Sequence, residues 1–256
     1  MKKHRKAWFD NDVFWRDTYA YMFPESRFAG TAEAMEQVLQ LTGIHKGSVL
    51  DLCCGPGRCS LALAAQGFHV TGVDRTKFLL DKAKAFSRAA HRKIEWVRAD
   101  MREFSRANAF DLALSMYTSF GYFEDQSEDE QVLLNVFHSL RPGGVLLMEL
   151  LGKEVLARIF QPSSAESLPD GSMIVEKRRI IDGWNRVENE WTIVRNGRVR
   201  RFGFQLRLYS GHELSVALKR SGFVDVKIYG DLKGSPYGPN ASRLVAVGRK
   251  SGIKRK

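Results

Sequence analysis

The chain has 256 residues, of which 44% are hydrophobic, 27% charged and 11% aromatic, and its formal net charge is +11. This apolar and aromatic content excludes a disordered, collagen-like or coiled-coil protein. The longest dense apolar run, Val145–Leu151, spans seven residues and is interrupted by Glu149, whereas a membrane-spanning helix needs ~20.

Most of the positive charge lies at the two ends of the sequence. Residues 1–6 and 249–256 contain nine Lys and Arg residues and no Asp or Glu. Such ends can hold nucleic acid weakly and in a salt-dependent way, but we favour a simple contribution to solubility. The first twelve residues carry charge without an apolar run behind them, so we expect no signal peptide.

The three cysteines lie within seven residues, at Cys53, Cys54 and Cys59. An odd, clustered number is not a disulfide framework, and no His follows at a zinc-finger spacing. We therefore expect reduced thiols, no metal and a cytoplasmic location.

The first 44 residues predict a helical segment. Residues 7–23 contain seven aromatic side chains, too many for a solvated helix, and Pro24 ends this stretch. A second helix is predicted over Thr31–Thr42, with Thr31 as its N-cap and Gly43 as its stop.

Between residues 48 and 150 the pattern alternates between strand and helix. Strands are predicted at 48–53, 69–73, 94–99, 110–116 and 145–150, and helices at 59–66, 76–90 and 127–140, the last closed by a turn at 141–144. Regular alternation predicts a doubly wound α/β fold, in which parallel strands carry helices on both faces.

After residue 151 this alternation stops. Residues 161–170 are predicted as a loop, and three strands follow at 173–181, 186–195 and 199–209. Asp182-Gly183 and Asn196-Gly197 between them favour hairpin turns, so we expect a three-stranded antiparallel meander. Ser210 and Glu213 then fit a capping box that opens a helix, and two last strands are predicted at 223–229 and 244–247.

The strand Val49–Leu52 leads into a glycine-rich turn, Cys54-Gly55-Pro56-Gly57-Arg58. Such a turn lets the backbone approach a ligand, and the helix that follows favours negative charge. The third glycine of the dinucleotide fingerprint is replaced by Ser60, which disfavours NAD and FAD. Asp74 ends the next strand, where it can accept hydrogen bonds from ribose hydroxyls or serve only as a helix cap.

Taken in order, five segments resemble the motif set of class I S-adenosylmethionine-dependent methyltransferases: Asp-Leu-Cys-Cys-Gly-Pro-Gly, Val-Thr-Gly-Val-Asp, Ala-Asp-Met-Arg, Phe-Asp-Leu-Ala and Leu-Arg-Pro-Gly-Gly. They cover roughly residues 45–151. The resemblance implies a Rossmann-like seven-stranded, mostly parallel sheet whose last strand is antiparallel. It also implies S-adenosylmethionine as cofactor and S-adenosylhomocysteine as product.

The resemblance also assigns cofactor contacts. It places the cofactor near Asp51, Gly55 and Gly57, its ribose on Asp74, and its adenine against Arg75, Asp100 and Met101; Ser115, at the end of the strand beside the first, is added to this set. The N-terminal region resembles glycine and sugar N-methyltransferases, in which an Arg and a Tyr hold the cofactor's carboxylate. Arg27 is our candidate for that Arg and Tyr19 for that Tyr, although Arg27 can equally be a surface cation.

Candidate acceptor residues follow the fourth and fifth strands. Tyr122 is expected to orient the acceptor or act as a weak base, or else to form an aromatic wall, and Glu149 to bind an ammonium group or cap the backbone. Tyr117, Arg207 and Tyr209 are further acceptor candidates. Arg207 can meet an acidic group of the acceptor or simply face solvent.

The sequence lacks the signatures of several macromolecular methyltransferases. Methyltransferases that act on amino groups of nucleic acids carry the tetrad Asn/Asp-Pro-Pro-Tyr/Phe after the fourth strand. Here the corresponding residues are Ser115-Met116-Tyr117-Thr118, so the sequence does not resemble that class. We therefore predict transfer to the nitrogen or oxygen of a small molecule. An RNA (tRNA or rRNA) methyltransferase using the basic ends, and a non-catalytic cofactor-binding regulator, stay open as alternatives.

The predicted organisation has four parts. Residues 1–44 form a helical lid with a basic tail, residues 45–160 and 210–250 the cofactor-binding domain, residues 161–209 a β insert that covers the acceptor, and residues 251–256 a basic tail. We expect no membrane association. We also expect a monomer or a homodimer, since the edge of the meander in one copy can pair with that of a second copy across a two-fold axis.

Overall fold

The computed structural model describes residues 7–252. What we predicted for the charged ends falls largely on residues 1–6 and 253–256, outside the described residues. Within 7–252, no helix is both long enough and apolar enough to cross a membrane.

Three helices precede the first strand. A 3₁₀ turn at Trp8–Asp10 leads into α1 (Asp12–Met22), α2 (Glu25–Ala29) and α3 (Thr31–Thr42). The bounds predicted for α3 are confirmed, and Gly43 ends it with φ +70°. The predicted N-cap was wrong, because Gly30 occupies that position and the Thr31 hydroxyl donates to the Arg27 carbonyl at 2.9 Å.

The strands of the described residues form two sheets. The strands are β1 (Ser48–Leu52), β2 (His69–Asp74), β3 (Glu95–Arg98), β4 (Phe110–Ser115), β5 (Leu140–Leu150), β6 (Ser163–Ser167), β7 (Met173–Ile181), β8 (Arg186–Arg195), β9 (Arg198–Arg207), β10 (Val224–Tyr229) and β11 (Leu244–Arg249). The larger sheet has the order β10-β11-β5-β4-β1-β2-β3. Its strands run parallel except β11, which is antiparallel to both neighbours. The doubly wound, seven-stranded sheet is confirmed.

Helices cover both faces of the larger sheet. They are α4 (Arg58–Ala65), α5 (Lys77–Ala89), α6 (Gln126–Ser139), α7 (Lys153–Ile159) and α8 (Gly211–Arg220). The predicted capping box of α8 is present, with Ser210 and Glu213 bonded reciprocally. Two apolar clusters fill the space between the helices and the sheet, one on each face. This packing fixes the carboxyl ends of the parallel strands at one edge.

The turn predicted at residues 141–144 was wrong, because this segment belongs to β5. Leu140 pairs with Phe110, and the register with β4 shifts before Leu112. Gly143 adopts φ +83° within this irregular stretch. A glycine there lets the chain bend without leaving the sheet.

The smaller sheet, which we call the lid sheet, consists of β6, β7, β8 and β9 in sequential antiparallel order. The predicted meander therefore has four strands and not three. Within the segment 161–170, which we predicted as a loop, residues 163–167 form β6, because their serines show no apolar alternation and the strand is defined only by pairing with β7. The Asn196-Gly197 turn has positive φ at both residues, as predicted.

Aromatic side chains join the lid sheet to the N-terminal helices. Phe204 of β9 packs against Trp8 and Phe14, with ring centroids 5.0 and 5.6 Å apart. Phe202 also contacts Phe14, at 5.4 Å. The lid sheet and the N-terminal segment thus meet directly above the edge where the parallel strands end.

Candidate active site

A cavity lies where β1, β2 and β4 end, and α1 and α2 contribute its outer wall. Nine of the residues singled out from the sequence line it: Arg27, Asp51, Gly55, Asp74, Arg75, Asp100, Met101, Tyr117 and Tyr122. Six others do not: Tyr19, Gly57, Ser115, Glu149, Arg207 and Tyr209. The carboxyl ends of the strands therefore bring together most of the predicted cofactor residues.

The glycine-rich turn after β1 is held by Asp74 at the end of β2. One Asp74 oxygen accepts from the Gly55 amide at 2.9 Å, and the other accepts from the Thr76 amide at 2.8 Å. Burial raises the pKa of Asp74, and these amide bonds partly offset that rise. The carboxylate thus supports the turn and the start of α5 while it also faces the cavity.

Gly57 has a packing role. It has φ +85°, and a Cβ at this position would lie 2.5 Å from the Trp96 ring. A side chain would therefore push Trp96 out of the contact between α4 and the sheet.

Asp51 is almost fully buried at the cavity floor. Ser60 Oγ donates to its carboxylate at 2.5 Å. Burial raises its pKa to about 6, against the opposing effects of Ser60 and the Arg58 guanidinium. A cation bound beside such a carboxylate favours its ionised form.

Asp100 already binds two arginines. Arg75 and Arg102 donate to it at 2.7 and 2.8 Å. Burial opposes its ionisation, but the hydrogen bonds and charge of Arg102 and the charge of Arg75 outweigh that effect and lower its pKa. Arg75 also forms an ion pair with Asp10, which fastens the N-terminal segment over the cavity.

The sequence reasoning missed Arg58, a buried cation in the cavity wall. Arg58 is 8% exposed, donates to the Arg27 carbonyl at 2.9 Å, and lies 4.0 Å above the Tyr117 ring. Arg27 is the more exposed of the two and donates to the Met22 carbonyl at 3.0 Å. The only sequence signal for Arg58 was its place directly after Gly57, at the first residue of α4.

Two tyrosines after β4 line the cavity. Burial raises the pKa of Tyr122, and burial also raises that of Tyr117. Both phenols are therefore hydrogen-bond donors near neutral pH. Tyr122 lies 4.9 Å from the Trp8 ring and 6.3 Å from the Phe9 ring, within an aromatic wall.

Glu149 lies beside the cavity wall rather than in it. Its carboxylate accepts from the Tyr117 amide at 2.8 Å and forms an ion pair with Arg243. The side chain thus caps the backbone of the loop after β4, one of the two roles expected for it.

The other outlying residues have structural partners. Tyr209 donates to Asp129 at 2.8 Å, and Arg207 forms an ion pair with the same carboxylate at 3.2 Å. Tyr19 packs against Phe23 and Phe78 at centroid distances of 5.5 and 5.6 Å. Ser115 is buried at the end of β4.

The donor set fits the cofactor that the motifs imply. Three carboxylates and three arginines line one cavity, which suits a molecule that carries hydroxyls, a carboxylate and positive charge. Together with the doubly wound sheet, this agrees with the class I S-adenosylmethionine-dependent methyltransferase domain that the motifs resemble. Residues 49–144 match the family model described as a methyltransferase domain.

Known proteins agree with this assignment. The putative methyltransferase YqeM of Bacillus subtilis is 28% identical over 81% of this chain and 85% of its own length. The structure of an S-adenosylmethionine-dependent methyltransferase from Clostridium acetobutylicum superposes with a TM-score of 0.78 at 16% identity, over 94% of this chain and 100% of that one. The sugar N-methyltransferase KedS8 from Streptoalloteichus has a TM-score of 0.69 at 21% identity, over 94% and 92%. At these identities, the two structures establish the fold alone.

Proposed function

We propose that this protein transfers a methyl group from S-adenosylmethionine to a nitrogen or oxygen of a small-molecule acceptor. One observation carries the proposal. Phe9, Tyr122 and Phe123 line both the cofactor cavity and a second, larger groove beneath the lid sheet. These three side chains place the groove directly beside the cavity.

The groove is built from the parts that we assigned to an acceptor lid. Its walls are the segment before α1, the loop after β4 and the strands β7, β8 and β9 of the lid sheet. We propose that the N-terminal helices and residues 161–209 together select the acceptor, while the larger sheet holds the cofactor. The sugar substrate in the name of KedS8, whose fold this chain shares, is consistent with a small acceptor.

The cofactor itself supplies an activated methyl group, so the chain mainly has to position an acceptor lone pair about 3 Å away. Tyr122, with its raised pKa, acts by donating a hydrogen bond and orienting the acceptor. The three cavity carboxylates are bound to Ser60, to backbone amides or to arginines. We therefore expect an acceptor that brings its own lone pair, either a neutral amine or an acidic hydroxyl.

A label-transfer experiment tests the proposal. The protein is incubated with methyl-tritiated cofactor and, in separate tubes, a metabolite extract, total RNA and total protein, each at two salt concentrations. Label in the metabolite tube is the expected result. Label only in RNA, falling steeply with salt, contradicts the small-molecule proposal, and binding without any transfer indicates a non-catalytic binder.

Asp74→Ala tests the site itself. Loss of the carboxylate removes a ribose acceptor and the support of the Gly55 amide, so we expect S-adenosylhomocysteine to bind at least tenfold more weakly in calorimetry. Asp81→Ala is the matched control, because Asp81 is exposed on α5 and, within residues 7–252, its one ion pair is with Lys77. Unchanged affinity in Asp74→Ala would remove this residue from the cofactor site.

A further inference from the structure

The groove beneath the lid sheet contains two buried hydrogen-bond donors without partners. Within the described residues, neither Trp8 Nε1 nor Asn189 Nδ2 has a hydrogen-bond partner, and both residues line the groove. Asn189 is only 7% exposed. Buried polar groups in proteins are almost always hydrogen-bonded, so a pair left open in a groove indicates a ligand that supplies the acceptor atoms.

The two donors lie on one continuous wall that starts at the cofactor cavity. The Tyr122 ring is 4.9 Å from Trp8, and Trp8 is 5.0 Å from Phe204. Phe204 stands directly opposite Asn189 in the ladder between β8 and β9, and directly opposed residues share a face of the sheet. The order from the cavity outward is therefore Tyr122, Trp8, Phe204 and Asn189.

The wall between the donors suits a flat, unsaturated body. Besides Trp8 and Phe204, the rings of Phe9, Phe14 and Phe202 line the groove. Aromatic rings pack favourably against one another in offset or edge-to-face arrangements. An aliphatic or highly polar body would use this surface poorly.

The charge around the groove favours an anion at the far end. Six basic and four acidic side chains line it. On the other side of β8, Arg178 of β7 stands opposite Asn189. Arg178 is paired with Glu176, which offsets much of its charge, so the excess of basic side chains belongs to the groove as a whole and not to this one arginine.

We propose that Asn189, at the far end of this wall, binds a carboxylate on the methyl acceptor, with Trp8 as a second donor along the wall. The acceptor's unsaturated body then lies along the aromatic wall, and its nucleophilic nitrogen or oxygen lies beside Tyr122. This inference rests on the proposed function, because it assumes that the groove is the acceptor site. It goes further by naming the group that distinguishes the acceptor from other small nucleophiles.

A matched pair of probes tests the inference. The full-length protein, saturated with S-adenosylhomocysteine, is titrated in a calorimeter with 4-aminobenzoate and with 4-methylaniline, which carries a methyl group in place of the carboxylate. We expect 4-aminobenzoate to bind at least tenfold more tightly. Equal affinities, or binding by neither probe, would overturn the inference.

Two conservative variants locate the effect. Trp8→Phe keeps the ring but removes the N–H group, and Asn189→Asp keeps the shape but replaces the donor with a second anion. Each should reduce 4-aminobenzoate affinity at least fivefold, with the larger loss in Asn189→Asp. Affinity that is unchanged or increased in Asn189→Asp contradicts the assigned role of the amide.

The controls separate folding and turnover from recognition. Trp184→Phe and Asn108→Asp make the same chemical changes at exposed positions outside the groove and should alter neither probe affinity. S-adenosylhomocysteine affinity should be the same in every variant, which shows that the fold is intact. Probe binding is read as heat, so a carboxylate preference without methyl transfer would support this inference while contradicting the proposed function.

Discussion

Glu149 and Arg243 support the cavity wall without lining the cavity themselves. Their ion pair anchors the loop after β4, since Glu149 also accepts from the Tyr117 amide and Arg243 donates to Thr118 Oγ1 at 3.1 Å. Tyr117 and Thr118 both have positive φ, a conformation that needs support in residues other than glycine. The pair thereby places Tyr117 in the cavity wall.

At Arg58 we predict a role in binding the cofactor's carboxylate. Its guanidinium is buried in the cavity wall, whereas that of Arg27 is more exposed and is bonded to Met22. Arg58→Met should weaken S-adenosylhomocysteine binding at least tenfold, because a buried charge-assisted hydrogen bond is lost. Calorimetry measures the change.

The ligand 5′-methylthioadenosine provides the internal control, because it lacks the amino-acid part of the cofactor. Its affinity should change less than twofold in Arg58→Met. Arg27→Met, the matched variant at the residue that we first selected, should have the smaller effect on S-adenosylhomocysteine. If Arg27→Met had the larger effect, Arg27 and not Arg58 would be the residue that binds the cofactor's carboxylate.

At Asp51 we predict a pH-dependent affinity. Its pKa in the folded protein is about 6, and a positively charged ligand group is attracted only to the ionised form. S-adenosylhomocysteine affinity should therefore be constant above pH 7 and fall as the pH falls through 6. In Asp51→Asn, affinity should be lower at pH 7.5 and independent of pH in this range.

The raised pKa of Asp51 also affects the stability of the fold. Ionisation of Asp51 favours ligand binding but lowers the free energy of unfolding. Because the folded-state pKa lies above the ordinary value of 3.8, ionised Asp51 destabilises the fold, and this contribution grows as the pH rises from about 4 to 6. Asp51→Asn should raise the free energy of unfolding at pH 7.5 by up to about 3 kcal/mol. Asp129, whose pKa burial also raises to about 6, lies outside the cavity, so Asp129→Asn should leave cofactor affinity unchanged.

Among the elements, those with local signals were predictable. The bounds of α3 follow from its own periodicity and from Gly43, and the start of α8 follows from Ser210 and Glu213. β6 lacks such a signal, because only its partner β7 makes it a strand. Pairing between distant segments is a tertiary effect that local patterns do not contain.

Tyr209 follows shortly after β9 and joins the end of the lid sheet to α6. Its hydroxyl donates to the buried Asp129 at 2.8 Å. Tyr209→Phe should lower the free energy of unfolding by about 1–3 kcal/mol, because a buried carboxylate loses a donor. Chemical denaturation measures the change, and Tyr229→Phe at the half-buried end of β10 is the control. Equal stability of the two variants would show that Arg207 alone satisfies Asp129.

For the molecule as a whole, the sequence predicted the cofactor half of the site better than the acceptor half. Asp51, Gly55 and Asp74 follow directly from strands that end at one edge. Trp8, Asn189 and Phe204 come together only through packing of the lid sheet on the N-terminal segment. From the sequence, Tyr209 and Arg207 were also candidates to bind the acceptor. In the fold, both side chains instead contact Asp129.

The distribution of charge over the whole chain leads to a last prediction. Residues 1–6 and 253–256 carry seven of the basic residues and no acidic ones, and the cofactor and acceptor sites that we propose lie within residues 7–252. A variant lacking both ends should bind total RNA more weakly, with a shallower salt dependence, since each phosphate contact contributes a slope of roughly 0.7 to 0.9. Its S-adenosylhomocysteine affinity and its transfer of tritiated methyl groups to a metabolite extract should match those of the full chain. Loss of this methyl transfer in the shortened protein, with cofactor binding retained, would instead show that the basic ends take part in holding the acceptor.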